Sequence, residues 1–143
     1  MIPENPHHVP DLTRQQAARE WLLRLAPDAD NVELLSSDRI RFFDCGSHFE
    51  RVRCPSCRAD IPVDWWQQHM TEDDVRGFKL EKLVVPCCGG EHTLHELAYA
   101  WPQGFGRFAL SAVNPNIGEL DERHRREVEE VLGTAVQVIY RHL

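Results

Sequence analysis

The chain has 143 residues and a formal net charge of −7, with 42% apolar and 27% charged residues. This composition is typical of a soluble globular protein that can bury a core of its own. The negative charge is spread along the chain without a basic stripe, which disfavours a protein that binds duplex nucleic acid by neutralising phosphates. No apolar run approaches the roughly 20 residues of a membrane span, and no secretory signal pattern opens the chain.

The first third predicts a loosely ordered tail, one helix and two short strands. Residues 1–10 hold three prolines and two histidines and predict the tail. Apolar residues then follow the i, i+3, i+4, i+7 spacing of one helix face, at Ala18, Trp21, Leu22 and Leu25. Pro27 ends this helix. Residues 31–35 and 38–43 predict two separate strands.

The middle of the chain predicts short elements around two cysteine turns. Residues 48–53 form a strand that leads into the first turn, and residues 65–70 form a helix. Residues 78–85 alternate polar and apolar side chains and predict a strand that leads into the second turn. Thr93 followed three residues later by Glu96 is the spacing of a capping box, so a helical turn is expected there.

The last third has the pattern of a β-α-β unit. Residues 106–113 predict a strand, and residues 135–140 predict another. One helix face between them carries Leu120, His124, Val128 and Val131. Gly133 is a natural helix stop, and a right-handed crossover makes the two flanking strands parallel. The sequence therefore predicts an α+β fold, a small mixed sheet with packed helices, in one domain over residues 1–143 with a zinc-ribbon-like insertion at 45–100.

The most informative residues are four cysteines in two short turns. Cys54-Pro55-Ser56-Cys57 is separated by 29 residues from Cys87 and Cys88, which lie in a Pro-Cys-Cys-Gly-Gly run. A C-x-x-C turn places two thiolates on one side of a loop, and four thiolates form the tetrahedral site of structural zinc. Adjacent cysteines can share a metal only if the backbone turns sharply, which the following glycines permit. Paired cysteines in a reducing cytoplasm favour metal over disulfides.

The sequence is also compatible with other ligand sets. One replaces Cys87 or Cys88 by His92, and another uses His95 or Cys45. Thiols that bind no metal and pack as small apolar side chains are the simplest alternative.

A catalytic metal is a further alternative. His92-Thr93-Leu94-His95-Glu96 resembles zinc hydrolase motifs, with Glu96 as a base, but its spacing matches neither H-E-x-x-H nor H-x-x-E-H. We therefore favour a zinc ion that stabilises a non-enzymatic protein-interaction module, of immunity or regulatory type. A small zinc-dependent hydrolase that uses His92, His95 and Glu96 is the first alternative. A zinc-ribbon nucleic-acid binder is the second.

Two adjacent tryptophans, Trp65 and Trp66, are the candidate partner-binding residues. Neighbours in a helix do not face the same side, so one packs in a core and the other is available to a partner. Five acidic residues nearby predict an acidic surface that suits a basic partner protein, namely Asp60, Asp64, Glu72, Asp73 and Asp74.

The cysteine turns and several later positions together resemble a family of small bacterial proteins of unassigned function with a zinc-ribbon-like insertion. The later positions are Leu94, Leu97, Tyr99, Pro102, Gly104-Phe105, the Asn114-Pro115 turn, Tyr140 and His142. The resemblance covers residues 43–143. It implies cysteine ligation at both turns and a bacterial cytoplasmic setting, and it implies no activity. Some small acidic bacterial proteins of this kind resemble immunity proteins that block toxins, an analogy that does not depend on fold.

Overall fold

A computed structural model describes residues 1–74 and 76–142, and for Asp73 and Asp74 it describes the backbone alone. These residues form an α+β fold, as the sequence predicts. The helices are α1 (Leu12–Leu25), α2 (Val63–Asp74) and α3 (Glu122–Leu132). The strands are β1 (Ile2–Pro3), β2 (Asn31–Phe43), β3 (Val52–Arg53), β4 (Leu83–Val84), β5 (Glu91–His92), β6 (Ala98–Tyr99), β7 (Gly104–Val113) and β8 (Val136–Gln137).

The chain divides into two compact units. Unit 1 contains Met1–Asp38 and Gly106–Val138, and unit 2 contains Arg39–Phe105 with the residues from Ile139 onward. β2 and β7 pair with each other, and the boundary between the units falls within both strands. A single domain with an insertion at 45–100 stays a prediction.

The helices of unit 1 begin and end where side chains cap them. The Asp11 carboxylate accepts a hydrogen bond from the Arg14 backbone N–H at 2.9 Å and begins α1. Asp121 begins α3 in the same way, through the His124 N–H at 2.8 Å. α3 ends at Gly133, which adopts the left-handed conformation with φ of 73°. The helix predicted from residue 18 and the stop at Gly133 are both confirmed.

The core of unit 1 lies between these helices and the strands. Its buried members are Ala18, Trp21, Leu22, Ala26, Val32, Phe108, Leu110, Val128, Leu132 and Val136. The exposed face of α3 is covered by ion pairs one turn apart, such as Arg126 with Glu122 at 3.5 Å. The helix is therefore amphipathic, with its apolar side in the core.

The strands of unit 1 differ from the prediction in two ways. β2 is one strand of 13 residues where two were predicted, because Ser36 and Ser37 continue the extended backbone. β1 pairs antiparallel with β8, and Ile2 is buried in that pair, so the predicted loosely ordered tail is wrong. Met1 also exchanges two backbone hydrogen bonds with Leu110 of β7, the antiparallel pattern, so β1 lies between β7 and β8 instead of leaving them side by side. The parallel direction predicted for β7 and β8 agrees with this arrangement. Sequence periodicity describes one segment at a time and does not identify its partner.

Apart from the end of β2 and the start of β7, unit 2 is built from strands of two residues and one helix. β3 pairs antiparallel with β6, and β4 pairs antiparallel with β5. The strand predicted at 48–53 is thus confirmed only at residues 52–53, and the strand predicted at 78–85 only at residues 83–84. The helix predicted at 65–70 is confirmed within α2. The buried core residues of this unit are Ile40, Val52, Cys54, Ile61, Trp66, Phe78, Val85, Leu94, Leu97 and Phe105.

Within the described part of the chain, no helix combines the length and the apolar character that crossing a bilayer requires.

Candidate metal centre

The two cysteine turns of unit 2 each project from a short antiparallel ladder. The first turn follows β3, and an isolated antiparallel bridge between Arg53 and Asp60 closes its base. The second turn connects β4 to β5, and the pairing of Leu83 with His92 closes its base. Each turn is therefore held at both ends by backbone pairing.

The two turns share one backbone hydrogen-bond frame. In the first, Cys54 N donates to Ala59 O at 3.0 Å and Arg58 N donates to Cys54 O at 2.9 Å. In the second, Val85 N donates to Gly90 O at 2.9 Å and Gly89 N donates to Val85 O at 3.1 Å. Ala59 and Gly90 close the two turns through their carbonyl groups, and the residue before each of them has a positive φ, 62° at Arg58 and 74° at Gly89. A glycine there adopts this conformation without the strain that a side chain brings.

This shared frame explains the adjacent cysteines. Superposing the frames by sequence aligns Cys54 with Val85, Ser56 with Cys87, and Cys57 with Cys88. The second turn thus has an apolar residue where the first has its leading cysteine. It supplies its second sulfur from the position that is Ser56 in the first turn.

The four sulfurs lie together at the tips of the turns. Cys54 Sγ is 3.7 Å from Cys88 Sγ, and Cys57 Sγ is 3.4 Å from Cys87 Sγ. All four ligand atoms lie within 4.8 Å of one another. A tetrahedron with metal–sulfur bonds of about 2.3 Å has sulfurs about 3.8 Å apart. The cysteines are free thiols, and the distances exceed the roughly 2.05 Å of a disulfide.

Hydrogen bonds, burial and neighbouring thiols shift the pKa values of Cys54, Cys87 and Cys88 in different directions. The backbone N–H groups of Cys57 and Ser56 point to the Cys54 sulfur and lower the pKa of Cys54 to about 6. Burial, followed by the hydrogen bonds of the neighbouring thiols, raises the pKa of Cys87 to about 12. The pKa of Cys88 is raised by its sulfur neighbours although the Gly90 N–H acts to lower it. Four thiolates this close repel one another, so a cation is needed to hold them ionised together.

The donor set therefore fits a thiophilic metal ion. Four sulfurs in tetrahedral arrangement suit zinc or iron, whereas magnesium and calcium require oxygen ligands. The sulfurs would occupy every position of a four-coordinate ion and leave none for a substrate.

Comparison with protein-family models, with curated proteins and with solved structures found no match to this chain. The resemblance to a bacterial family with a zinc-ribbon-like insertion thus stays a prediction. The metal centre is therefore inferred from the positions of the four sulfurs alone.

The other ligands predicted from the sequence do not belong to the four-sulfur group among the described residues. His92 Nε2 is 2.7 Å from the Ser56 hydroxyl, and the His95 ring packs edge-on against Phe105 at 5.9 Å. Cys45 is buried with its sulfur 3.4 Å from the Gln103 amide oxygen, and burial raises the pKa of the Cys45 thiol. Neither histidine nor Cys45 belongs to the group of metal-ligating atoms found in the described part of the chain.

The two tryptophans on α2 have different surroundings. Trp66 is buried, stacks on Phe49 with ring centroids 5.1 Å apart, and donates from Nε1 to the Tyr99 hydroxyl at 3.1 Å. Trp65 is half-buried and packs against the His69 ring at 4.4 Å. Their role in binding a partner stays a prediction. Of the predicted acidic surface, the side chains of Asp73 and Asp74 lie outside the described residues.

Sequence reasoning missed the contribution of Ser56 and Lys82. The Ser56 hydroxyl contacts His92, and the Lys82 ammonium lies 3.5 Å from Glu96. Nothing in the spacing of these residues indicates their pairing, since Ser56 and His92 are 36 positions apart. The Thr93–Glu96 capping spacing was readable, and the Glu96 backbone N–H indeed donates to the Thr93 hydroxyl at 3.3 Å.

Proposed function

We propose that this is a non-enzymatic protein in which Cys54, Cys57, Cys87 and Cys88 hold one structural zinc ion, and in which the zinc-stabilised unit binds a protein partner. The observation that carries the zinc centre is the gathering of four cysteine sulfurs within 4.8 Å at the tips of two equivalent turns. Immunity or regulatory roles are of this kind, because they need a stable surface and no reaction centre.

Zinc is the metal that this set favours. Structural zinc sites are closed and four-coordinate, and four cysteines are a common ligand set for them. Because all four positions are taken by protein sulfur, no position remains for a water that attacks a substrate. The Cys54, Cys57, Cys87 and Cys88 thiols also need a reducing compartment to stay available, which supports a cytoplasmic location.

The partner surface that we propose is the exposed side of α2. Trp65 lies half-buried there, and Asp64 and Glu72 are exposed on the same helix. An aromatic side chain with an acidic surround suits a partner with a basic, apolar contact surface. The overall charge of −7 adds long-range attraction to such a partner.

Metal analysis of the protein purified without added metal tests the zinc centre. We expect about one zinc per chain and a lower melting temperature after chelation, because metal-binding free energy contributes to folding free energy. Substoichiometric zinc that cannot be restored by adding the ion would contradict the proposal.

Affinity capture from the host lysate tests the partner surface, with Trp65→Ala as the variant and Leu12→Ala as the control. Leu12 is 76% exposed on α1 and is not part of the proposed surface. We expect one specific protein with the wild type and with Leu12→Ala, and its loss with Trp65→Ala. Equal capture by all three proteins would place the contact elsewhere.

A further inference from the structure

A chain of side chains beside the metal centre connects the two cysteine turns directly. The Ser56 hydroxyl lies in the first turn, and His92 lies on β5, at the base of the second. Ser56 Oγ and His92 Nε2 are 2.7 Å apart. Since His92 pairs through its backbone with Leu83 on β4, its ring is fixed to the ladder that carries the second turn.

The opposite edge of the His92 ring is also held. His92 Nδ1 lies 3.4 Å from a Glu96 carboxylate oxygen, and the other oxygen lies 3.5 Å from the Lys82 ammonium. The Thr93 N–H donates to Glu96 at 3.3 Å. We assign the His92 proton to Nδ1, which faces the carboxylate, so that Nε2 accepts the hydrogen bond of the Ser56 hydroxyl.

The carboxylate is kept ionised for this role. Burial acts to raise the pKa of Glu96, but the Thr93 N–H, the Lys82 ammonium and the His92 ring together hold it below its usual value. An ionised carboxylate orients an imidazole more strongly than a neutral one.

The space for this arrangement is left by Gly90. A Cβ at that position would lie 3.4 Å from both Cys88 Sγ and His92 Nε2, and 3.6 Å from Ser56 Oγ. The sulfur, the ring and the hydroxyl thus surround one small residue. The metal centre and the Ser56–His92 pair are in this way packed as a single arrangement.

We propose that His92 is a positioning residue of the metal centre, which holds the first turn against the second through Ser56 and so gathers the four sulfurs for the ion. This inference deepens the proposed function and rests on it. Its physical basis is that residues outside the ligand set reduce the entropy lost when ligands from separate segments are brought together. Loss of such a partner typically lowers metal affinity 10–100-fold, about the effect expected here.

The test is a double-mutant cycle on metal affinity, measured by competition with a chelator of known affinity. The variants are Ser56→Ala, His92→Ala and the two combined, with Ser56→Thr as the conservative variant and His69→Ala as the control. His69 is another partly buried histidine of unit 2, and it packs on Trp65 instead of the turns.

We expect each alanine variant to lower the affinity about 10–100-fold, and the double variant to be no weaker than His92→Ala alone. Ser56→Thr keeps the hydroxyl and should bind as the wild type does, as should His69→Ala. Every variant should still bind one Co²⁺ with the charge-transfer absorption of four thiolates.

Two results would overturn the inference alone and leave the zinc centre in place. Wild-type affinity in His92→Ala removes the positioning role while leaving the zinc centre intact. If the losses of metal-binding free energy in the two single variants add up in the double variant, Ser56 and His92 act separately, as general contributors to stability. A wild-type protein that binds no metal overturns the proposed function, and the inference with it.

Discussion

Units 1 and 2 have core clusters of equal size but very different amounts of regular structure. Each cluster contains ten buried residues among those described. Unit 1 has helices of 14 and 11 residues, whereas unit 2 has one helix of 12 residues and four strands of two residues each. Short two-stranded ladders are marginally stable in water by themselves. Unit 1 has one such ladder, β1 with β8, beside its two helices, so we expect unit 2 to depend on a cross-link more than unit 1 does.

Metal removal should have the largest effect, and it should act on unit 2 far more than on unit 1. Structural zinc contributes about 10–16 kcal/mol of binding free energy in zinc-finger peptides, and Cys57→Ser removes one exposed ligand without disturbing the core. We expect amides of residues 52–99 to lose hydrogen-exchange protection in this variant, and amides of α1 and α3 to keep theirs. Cys45→Ala, which removes a thiol outside the cluster, should retain the metal. Equal loss of protection in both units would show that the metal is not specific to unit 2.

Two phenylalanines of β7, one in each core, are a matched pair for comparing how the two units depend on the metal. Phe105 belongs to the core of unit 2 and Phe108 to the core of unit 1, and both are fully buried. Each substitution to alanine should lower the free energy of unfolding by about 3–5 kcal/mol through lost burial and the cavity left behind. Chelator competition should show reduced metal affinity for Phe105→Ala and unchanged affinity for Phe108→Ala. The reverse order of affinities would contradict the assignment of the two cores.

Moving one cysteine of the second turn from position 87 to position 85 tests whether the two turns of unit 2 have the same backbone frame. Cys87→Ser should weaken metal binding by more than the roughly 100-fold that an outer residue contributes, because it removes a ligand. Adding Val85→Cys places a thiol where the first turn has Cys54, and should recover most of the affinity. Chelator competition measures both effects. If the double variant binds as weakly as Cys87→Ser, the shared backbone frame does not extend to side-chain direction.

The smallest expected effect lies at the end of α3 in unit 1. A Cβ at Gly133, where φ is 73°, would lie 2.7 Å from Arg14 Nη1, and the same Arg14 nitrogen donates to Glu130 O and Val131 O at 3.3 Å each. Gly133→Ala should lower the free energy of unfolding by about 1 kcal/mol or slightly more, from left-handed strain and a displaced Arg14.

Gly118→Ala is the control for strain alone, since φ is 69° there and no atom lies within 4 Å of the added carbon. Denaturant unfolding of the two variants measures the difference. An effect of Gly118→Ala as large as that of Gly133→Ala would remove any contribution from Arg14.

The difference between long helices and two-residue strands also explains what could be predicted from the sequence. α1 and α3 were predictable because each has an apolar face at helical spacing, with Pro27 after α1 and Gly133 as the stop of α3. The cysteine turns were predictable from C-x-x-C and the following glycines. The pairing of β1 with β8 was not, because two-residue strands carry no periodicity. The alignment of Val85 with Cys54 was hidden for a related reason, since a hydrogen-bond frame is visible only in three dimensions.

Only one side of the Ser56–His92 contact could be predicted from the sequence. His92 was readable as a candidate ligand because it follows the second turn closely. Its actual neighbour is a serine hydroxyl in the first turn, brought there by the folding of two ladders. A histidine near a cysteine turn is thus compatible with ligation and with positioning, and only the distances separate the two.

X-ray absorption at the zinc edge, on protein purified without added metal, is the most direct test of a zinc ion held by four cysteine sulfurs. We expect one zinc per chain with four sulfur neighbours at about 2.3 Å. Nitrogen or oxygen atoms among the four neighbours, or a protein that holds no zinc, would contradict it.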